Sequence, residues 1–178
     1  FVLHSPGWGG GGGGAGALGV LLATGGGVGA LGAATGLFTE NWPVPVSDAS
    51  SGLSSDEFLI PGSIVNLQVD RSHPLAWGMD ARTHGFFSRN PFFDVGAAFP
   101  SQEVSVAVRY PNDDLRASGW LRGEEHLAGK AAAVEIRYAP LHEEDGTGSL
   151  VLLGLRPQHR AQTHATFKLL FNALVNPW

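Results

Sequence analysis

Cysteine is absent from the 178 residues, which removes disulfides, thiolate metal sites and cysteine nucleophiles together. Charge is absent from the first 39 residues: all 11 basic and all 16 acidic side chains lie at or beyond Glu40. No Gly-x-Ser-x-Gly elbow occurs, so the exposed strand–helix nucleophile of the α/β-hydrolases is excluded. No His is followed by Glu three residues later, so that zinc-ligand spacing is missing. No Lys precedes Lys130, so the run Gly9–Gly14 lacks the Gly-Lys-Ser/Thr ending of a phosphate loop. The net charge of −5 leaves no basic excess to offset nucleic-acid phosphates.

Glycine is what the first quarter has instead. Fifteen of the 26 glycines fall between Gly7 and Gly36. Gly9–Gly14 has no side chain to bury and a large backbone entropy to lose, so it reads as a linker, with a boundary after residue 14. Ala17–Leu22 reads as a helix, Gly25–Gly27 as a turn and Val28–Leu31 as a short buried strand. A membrane span over Ala15–Phe38 has adequate length. It places three glycines at mid-span and has few large apolar residues, so no membrane span is expected.

From Leu53 onward the patterns are ordinary. Ser63–Val69, Glu103–Tyr110 and Ala132–Tyr138 alternate as half-buried strands, the last with Glu135 and Arg137 opposite its apolar face. Ser149–Leu155 is apolar on both faces, as a strand in the middle of a parallel sheet must be. Glu143–Gly148 before it is a polar turn. Phe167, Leu170, Phe171 and Leu174 fall at i, i+3, i+4 and i+7, which predicts a helix laying that stripe on the core. Thr163 is placed to cap it and Asn176-Pro177 to stop it. Prolines punctuate 39–62 and 72–102, which read mostly as loop. Phe86-Phe87 and Phe92-Phe93, with Trp77 and Trp120, must fold back onto the domain or meet a partner, because bare they would form a large apolar patch.

Several motifs together resemble one family arrangement. They are Leu53-Ser54-Ser55-Asp56-Glu57-Phe58, Pro61-Gly62-Ser63-Ile64, His73-Pro74-Leu75-Ala76-Trp77-Gly78-Met79 and Ser118-Gly119-Trp120-Leu121. Leu127-Ala128-Gly129-Lys130-Ala131, Gly154-Leu155-Arg156-Pro157-Gln158-His159-Arg160-Ala161-Gln162 and Phe167–Leu174 complete the set. The combination resembles the C-terminal region of bacterial carboxypeptidase-A-like zinc peptidases, where a catalytic domain is followed by a class I glutamine amidotransferase-like domain. The resemblance implies an α/β, flavodoxin-like three-layer fold over residues 15–178, with a central, largely parallel sheet and some antiparallel edge strands. It also implies an upstream peptidase domain of the same polypeptide as partner. Zinc is expected only in that domain, and no cofactor in this chain. Export to the periplasm or outside the cell is implied as well.

The resemblance does not carry activity with it. A glutamine amidotransferase needs a Cys nucleophile, which is absent, and a His-Pro-Glu motif, where Arg156-Pro157-Gln158 stands here. Arg stays protonated and Gln does not titrate, so neither can replace the base and its partner. The expectation is a non-catalytic accessory domain, structural, docking or ligand-binding, open to a homo-oligomer. A hydrolase with an unrecognised site and a peptide- or carbohydrate-binding module are the alternatives. The candidate ligand residues are Arg156, Gln158, His159, Arg160 and Gln162, beyond the carboxyl end of a strand, where open α/β sheets bind ligands. They suit either the tying of loops or an anion pocket. His159 and His164 fall short of the three or four ligands that a metal site needs, so no metal is expected.

Overall fold

The computed structural model describes residues 2–4, 19–24, 44–138 and 148–175. Gly9–Gly14, Gly25–Gly27, the expected strand Val28–Leu31 and the turn at 143–147 lie outside the described residues. Among the described residues there are ten strands: β1 (Val2–His4), β2 (Gly19–Thr24), β3 (Val46–Asp48), β4 (Ser63–Val69) and β5 (Arg82–Phe87). They are followed by β6 (Phe93–Val95), β7 (Gln102–Arg109), β8 (Arg116–Ser118), β9 (Ala131–Tyr138) and β10 (Gly148–Leu153). The α-helices among the described residues are α1 (Glu124–Leu127) and α2 (Phe167–Val175). A 3-10 turn covers Pro74–Ala76.

The strands join in the order β1-β2-β10-β9-β7-β4-β5, with β8 beside β4 and a β3–β6 pair attached to β9. Every pairing among the eight strands β3 to β10 is antiparallel. Among the described strands, only β2 joins its neighbour β10 in parallel. This corrects the flavodoxin-like α/β expectation: no three-layer fold with a central parallel sheet is built. Parallel neighbours need long crossovers, usually helical. Among the described residues from β4 to β10, the only α-helix is the four-residue α1. The expected helix over Ala17–Leu22 is corrected too, since Gly19–Thr24 is a strand.

The both-sided burial of Ser149–Leu153 is real, but it has a different source. Val151 and Leu153 enter one hydrophobic cluster, with Val65, Leu67, Leu75, Phe87, Phe92 and Leu169. Leu150 and Leu152 enter a second, with Val46, Phe93, Val134 and Ile136. Side chains alternate faces along a strand, so the two cores lie on opposite sides of β10. An antiparallel sheet covered on both sides therefore produces the same sequence pattern as a parallel one.

Two further expectations are refined. The stretch 72–102 is mostly loop but also holds β5, which pairs with β4 over six residues, from Ser63 opposite Phe87 to Gln68 opposite Arg82. Helix α2 sits where its pattern predicts, but turns another face inward. Leu169 and Ala173 are buried, whereas Phe171 and Leu174 are 56% and 51% exposed. The orientation is set by polar anchors. Asn172 Nδ2 donates to the carbonyls of Leu75 (2.9 Å) and Trp77 (3.1 Å), and Lys168 Nζ donates to that of Gly78. Burying Leu169 contributes about 1.5–3 kcal/mol, and the anchors decide which side of the helix gains it. Thr163 does not cap α2 through its side chain; its hydroxyl meets that of Thr166 at 3.0 Å. Of the paired aromatics, Phe87, Phe92 and Phe93 fold into the cores, while Trp77 and Trp120 stay exposed.

Candidate functional site

The five residues singled out after β10 are placed by separate contacts, three of them around Phe86. β10 shares its carboxyl end with its parallel neighbour β2, whereas β9 runs the other way. Arg156 ties loops together: its backbone N–H donates to Phe86 O at 3.3 Å and its Nε to Asn90 Oδ1 at 3.2 Å. Asn90 itself is buried. Gln158 and Arg160 are exposed, and the chain turns sharply at Arg160 and Ala161, both at positive φ (48° and 53°). His159 stacks flat on Phe86, with ring centroids 4.3 Å apart and planes 5° from parallel. Gln162 helps line a cleft of about 340 Å³ with Ile64, Phe86 and Ser118.

A second constellation, on β7 and β9, was not expected. Ser105 on β7 lies directly opposite Glu135 on β9, and Glu103 lies opposite Arg137. Glu135 belongs to the face read as the polar side of a half-buried strand, yet it is 0% exposed. Arg137 reaches back along its own strand: Nε donates to Glu135 Oε1 at 3.2 Å and Nη2 to Oε2 at 3.3 Å. Its Nη1 lies 3.8 Å from Glu103 Oε2. Such a bidentate pairing neutralises a buried carboxylate while filling its lone pairs.

His73 covers this ladder, and the local sequence explains how it gets there. Asp70 accepts from the N–H (2.9 Å) and the hydroxyl (2.6 Å) of Ser72, closing a tight turn. These two bonds hold the Asp70 carboxyl below its usual range. The next residue, His73, precedes proline and is extended, at φ −75° and ψ 131°. Pro74 then opens the 3-10 turn, and the ring of His73 caps it: Leu75 N–H donates to Nδ1 at 3.1 Å. On its other side, Nε2 lies 2.8 Å from Ser105 Oγ and 3.5 Å from Glu135 Oε2.

Ser, His and Glu are the residue types of a hydrolase triad, but the connections differ. In a working triad the carboxylate holds one ring nitrogen and the other accepts the serine proton. Here Ser105 and Glu135 share Nε2. Because Nδ1 accepts from a backbone N–H, the ring proton sits on Nε2, which therefore donates and cannot take a proton from Ser105. Burial, and then the nearby Arg137, push the His73 pKa down from its ordinary value, which favours this neutral ring. Burial pushes Glu135 up, against the opposing pull of Arg137.

The signal for this cluster was in the sequence: Glu103-x-Ser105 and Glu135-x-Arg137 put polar residues on one face of two strands whose other face is apolar. Only the strand register shows that those faces meet. Among the described residues, no three His, Asp or Glu side chains are grouped so as to hold a metal ion. No helix among them is long and apolar enough to cross a membrane. Comparison of the chain with family models, curated proteins and solved structures finds no match.

Proposed function

We propose that this chain is a non-catalytic accessory domain, whose work is binding or docking rather than turnover. The observation behind this is the wiring of His73. The ring holds the Pro74–Ala76 turn through Nδ1 and the β7–β9 ladder through Nε2. A base needs a free lone pair facing its nucleophile, and His73 presents an N–H to Ser105 instead. Protonating Nδ1 to reverse the roles would set an N–H against the N–H of Leu75. The same contacts have a structural use. They fix the turn onto the sheet, and α2 is anchored to that turn in its own right.

The test is chemical. The purified chain and its Ser105→Ala variant are incubated with a fluorophosphonate probe, with p-nitrophenyl acetate and with a peptide panel, each with and without added zinc. The expected result is no covalent adduct at Ser105 and equal background turnover by both proteins. Labelling of Ser105, or turnover that disappears with its hydroxyl, would overturn the reading.

A further inference from the structure

The outer face of β4 and β5 is built differently from the rest of the sheet surface. Three cross-strand pairs stand on it in register: Ile64 with Phe86, Asn66 with His84 and Gln68 with Arg82. The residues between them on β4, Val65 and Leu67, are buried in the core, so these six share the opposite side. Two clefts follow one another along this face. The cleft of about 340 Å³ lies at the Ile64–Phe86 end. One of about 450 Å³ lies at the other end, where Asp113 and Asp114 form the far wall. From Ile64 to Gln68 the face runs about 13 Å, at roughly 3.3 Å per residue.

We infer that this face is a binding groove for a neutral oligosaccharide. A polyhydroxyl ligand needs donors and acceptors side by side, and the groove supplies both. Gln68 offers both ends of an amide, Arg82 a fork of donors, and Asp113 and Asp114 acceptors. Asn66 is oriented in advance: its Nδ2 donates to Asp114 O at 2.6 Å, which leaves its carbonyl oxygen as an acceptor. Asp114 is held at φ 52°, an uncommon conformation for a non-glycine residue and one that recurs beside ligand sites. At the apolar end, the stacked pair of Phe86 and His159 makes a rigid aromatic plate. Aromatic faces are electron-rich and suit the polarised C–H face of a sugar ring.

Charge and geometry narrow the ligand class. One guanidinium and two carboxylates line the wider cleft, so a strongly charged ligand of either sign meets like charge there. An extended peptide would add to the edge of β5 through main-chain hydrogen bonds. At Phe86 that edge is already met by the N–H of Arg156. The groove instead crosses the face of the sheet, where side chains do the recognising. The inference deepens the non-catalytic reading and rests on it: the groove holds a sugar without cleaving it.

The test is affinity electrophoresis of the full chain in gels containing hydroxyethyl cellulose, laminarin, xylan or galactomannan, with an extended Val-Thr repeat peptide as a parallel probe. Retardation by at least one polysaccharide is expected, with amide NMR shifts confined to residues 62–68, 82–86, 111–118 and 158–162. The Gln68→Ala/Arg82→Ala double variant is expected to lose about tenfold or more in affinity, as loss of a charge-assisted hydrogen bond implies. Its thermal midpoint is expected to stay within about 2 °C of the parent. No retardation in any of the four gels, shifts elsewhere, or binding of the peptide in place of the sugars would overturn the groove and leave the non-catalytic reading intact. Reducing ends released from a bound polysaccharide would do the reverse.

Discussion

Two ladders of polar residues cross neighbouring antiparallel strands in this molecule, and they have opposite fates. On β7 and β9, Ser105 faces Glu135 and Glu103 faces Arg137. On β4 and β5, Asn66 faces His84 and Gln68 faces Arg82. The first is roofed by His73 and the 3-10 turn that it caps, so its groups spend their hydrogen bonds on one another. Among the described residues, the second has no such roof. The residue types of a hydrolase sit in the covered ladder, where Ser105 and Glu135 both meet Nε2 of His73 and Leu75 N–H occupies its Nδ1. The open ladder carries no familiar motif, yet it keeps spare donors and acceptors. Coverage and connectivity, not residue type, separate a brace from a binding surface.

The contrast breaks most sharply at Glu135. Glu135→Ala removes the bidentate partner of Arg137 and one of the groups that meet His73 Nε2. Removing one member of a buried ion pair costs about 3–5 kcal/mol, and the partial exposure of Arg137 places the expected loss near the lower end, about 3 kcal/mol. Urea denaturation checks this, with an unchanged slope showing that the denatured state is unaffected. A loss below about 1 kcal/mol would mean that the covered ladder is no brace.

The next effect belongs to His73. His73→Ala removes the cap on Leu75 N–H together with the contact to Ser105, for an expected loss of about 2 kcal/mol. The same residue sets a pH dependence. Its folded pKa is depressed, by burial first and Arg137 second, while Asp70 and Glu103 pull the other way and do not prevail. As pH falls through about 6.5, the unfolded chain takes up a proton that the folded ring refuses, so stability falls. Glu135 runs in the opposite sense: with its folded pKa raised, the folded state gains stability as pH drops toward the ordinary carboxylate range. The thermal midpoint at pH 5.5 is therefore expected below that at pH 7.5. His73→Asn, whose side-chain oxygen can accept from Leu75 N–H without titrating, is expected to flatten the difference. An equally steep fall in that variant would assign the pH dependence to other groups.

The covered ladder shows why some of the structure was legible in the sequence and some was not. Strands β4, β7 and β9 follow from local alternation and β10 from a run apolar on both faces, and they lie where these patterns place them. Strand direction is not local, because a run such as Leu150–Leu153 is apolar on both faces whichever way its neighbours run. β5 was missed because Arg82-Thr83-His84-Gly85-Phe86-Phe87 has a weak strand pattern of its own and is a strand through its pairing with β4. The position of α2 was readable, but its facing was not: the stripe of Phe167, Leu170, Phe171 and Leu174 says nothing of the carbonyls that Lys168 and Asn172 find. At the sites, His159 and Gln162 were singled out and do border the β4–β5 groove. The rest of that groove, and all of the His73 cluster, depend on register between strands.

Gly85 separates the two sides of one strand. It lies between His84 and Phe86 but faces inward, and a Cβ there would stand 2.7 Å from Leu67 Cδ1. The obstacle is the tip of a side chain, which can turn aside, so Gly85→Ala is expected to cost only about 1 kcal/mol of overpacking. Chemical denaturation measures it. A stabilised variant would show that this core has slack beneath the groove.

The smallest expected effect is the most informative about the open face. Gln68, Arg82 and His84 are exposed, and no hydrogen bond or ion pair joins them to other described side chains. Each alanine substitution is expected to change stability by no more than about 0.5 kcal/mol, and the three together by little more than their sum. Natural surfaces tolerate such changes everywhere, so a neutral result alone does not mark a binding site. Its value lies in the pairing with affinity: a brace loses stability when cut, whereas a binding face loses ligand and keeps its fold. If the triple variant unfolded at markedly lower urea, the outer ladder would be packed against something after all. The two ladders would then differ in degree of coverage rather than in kind.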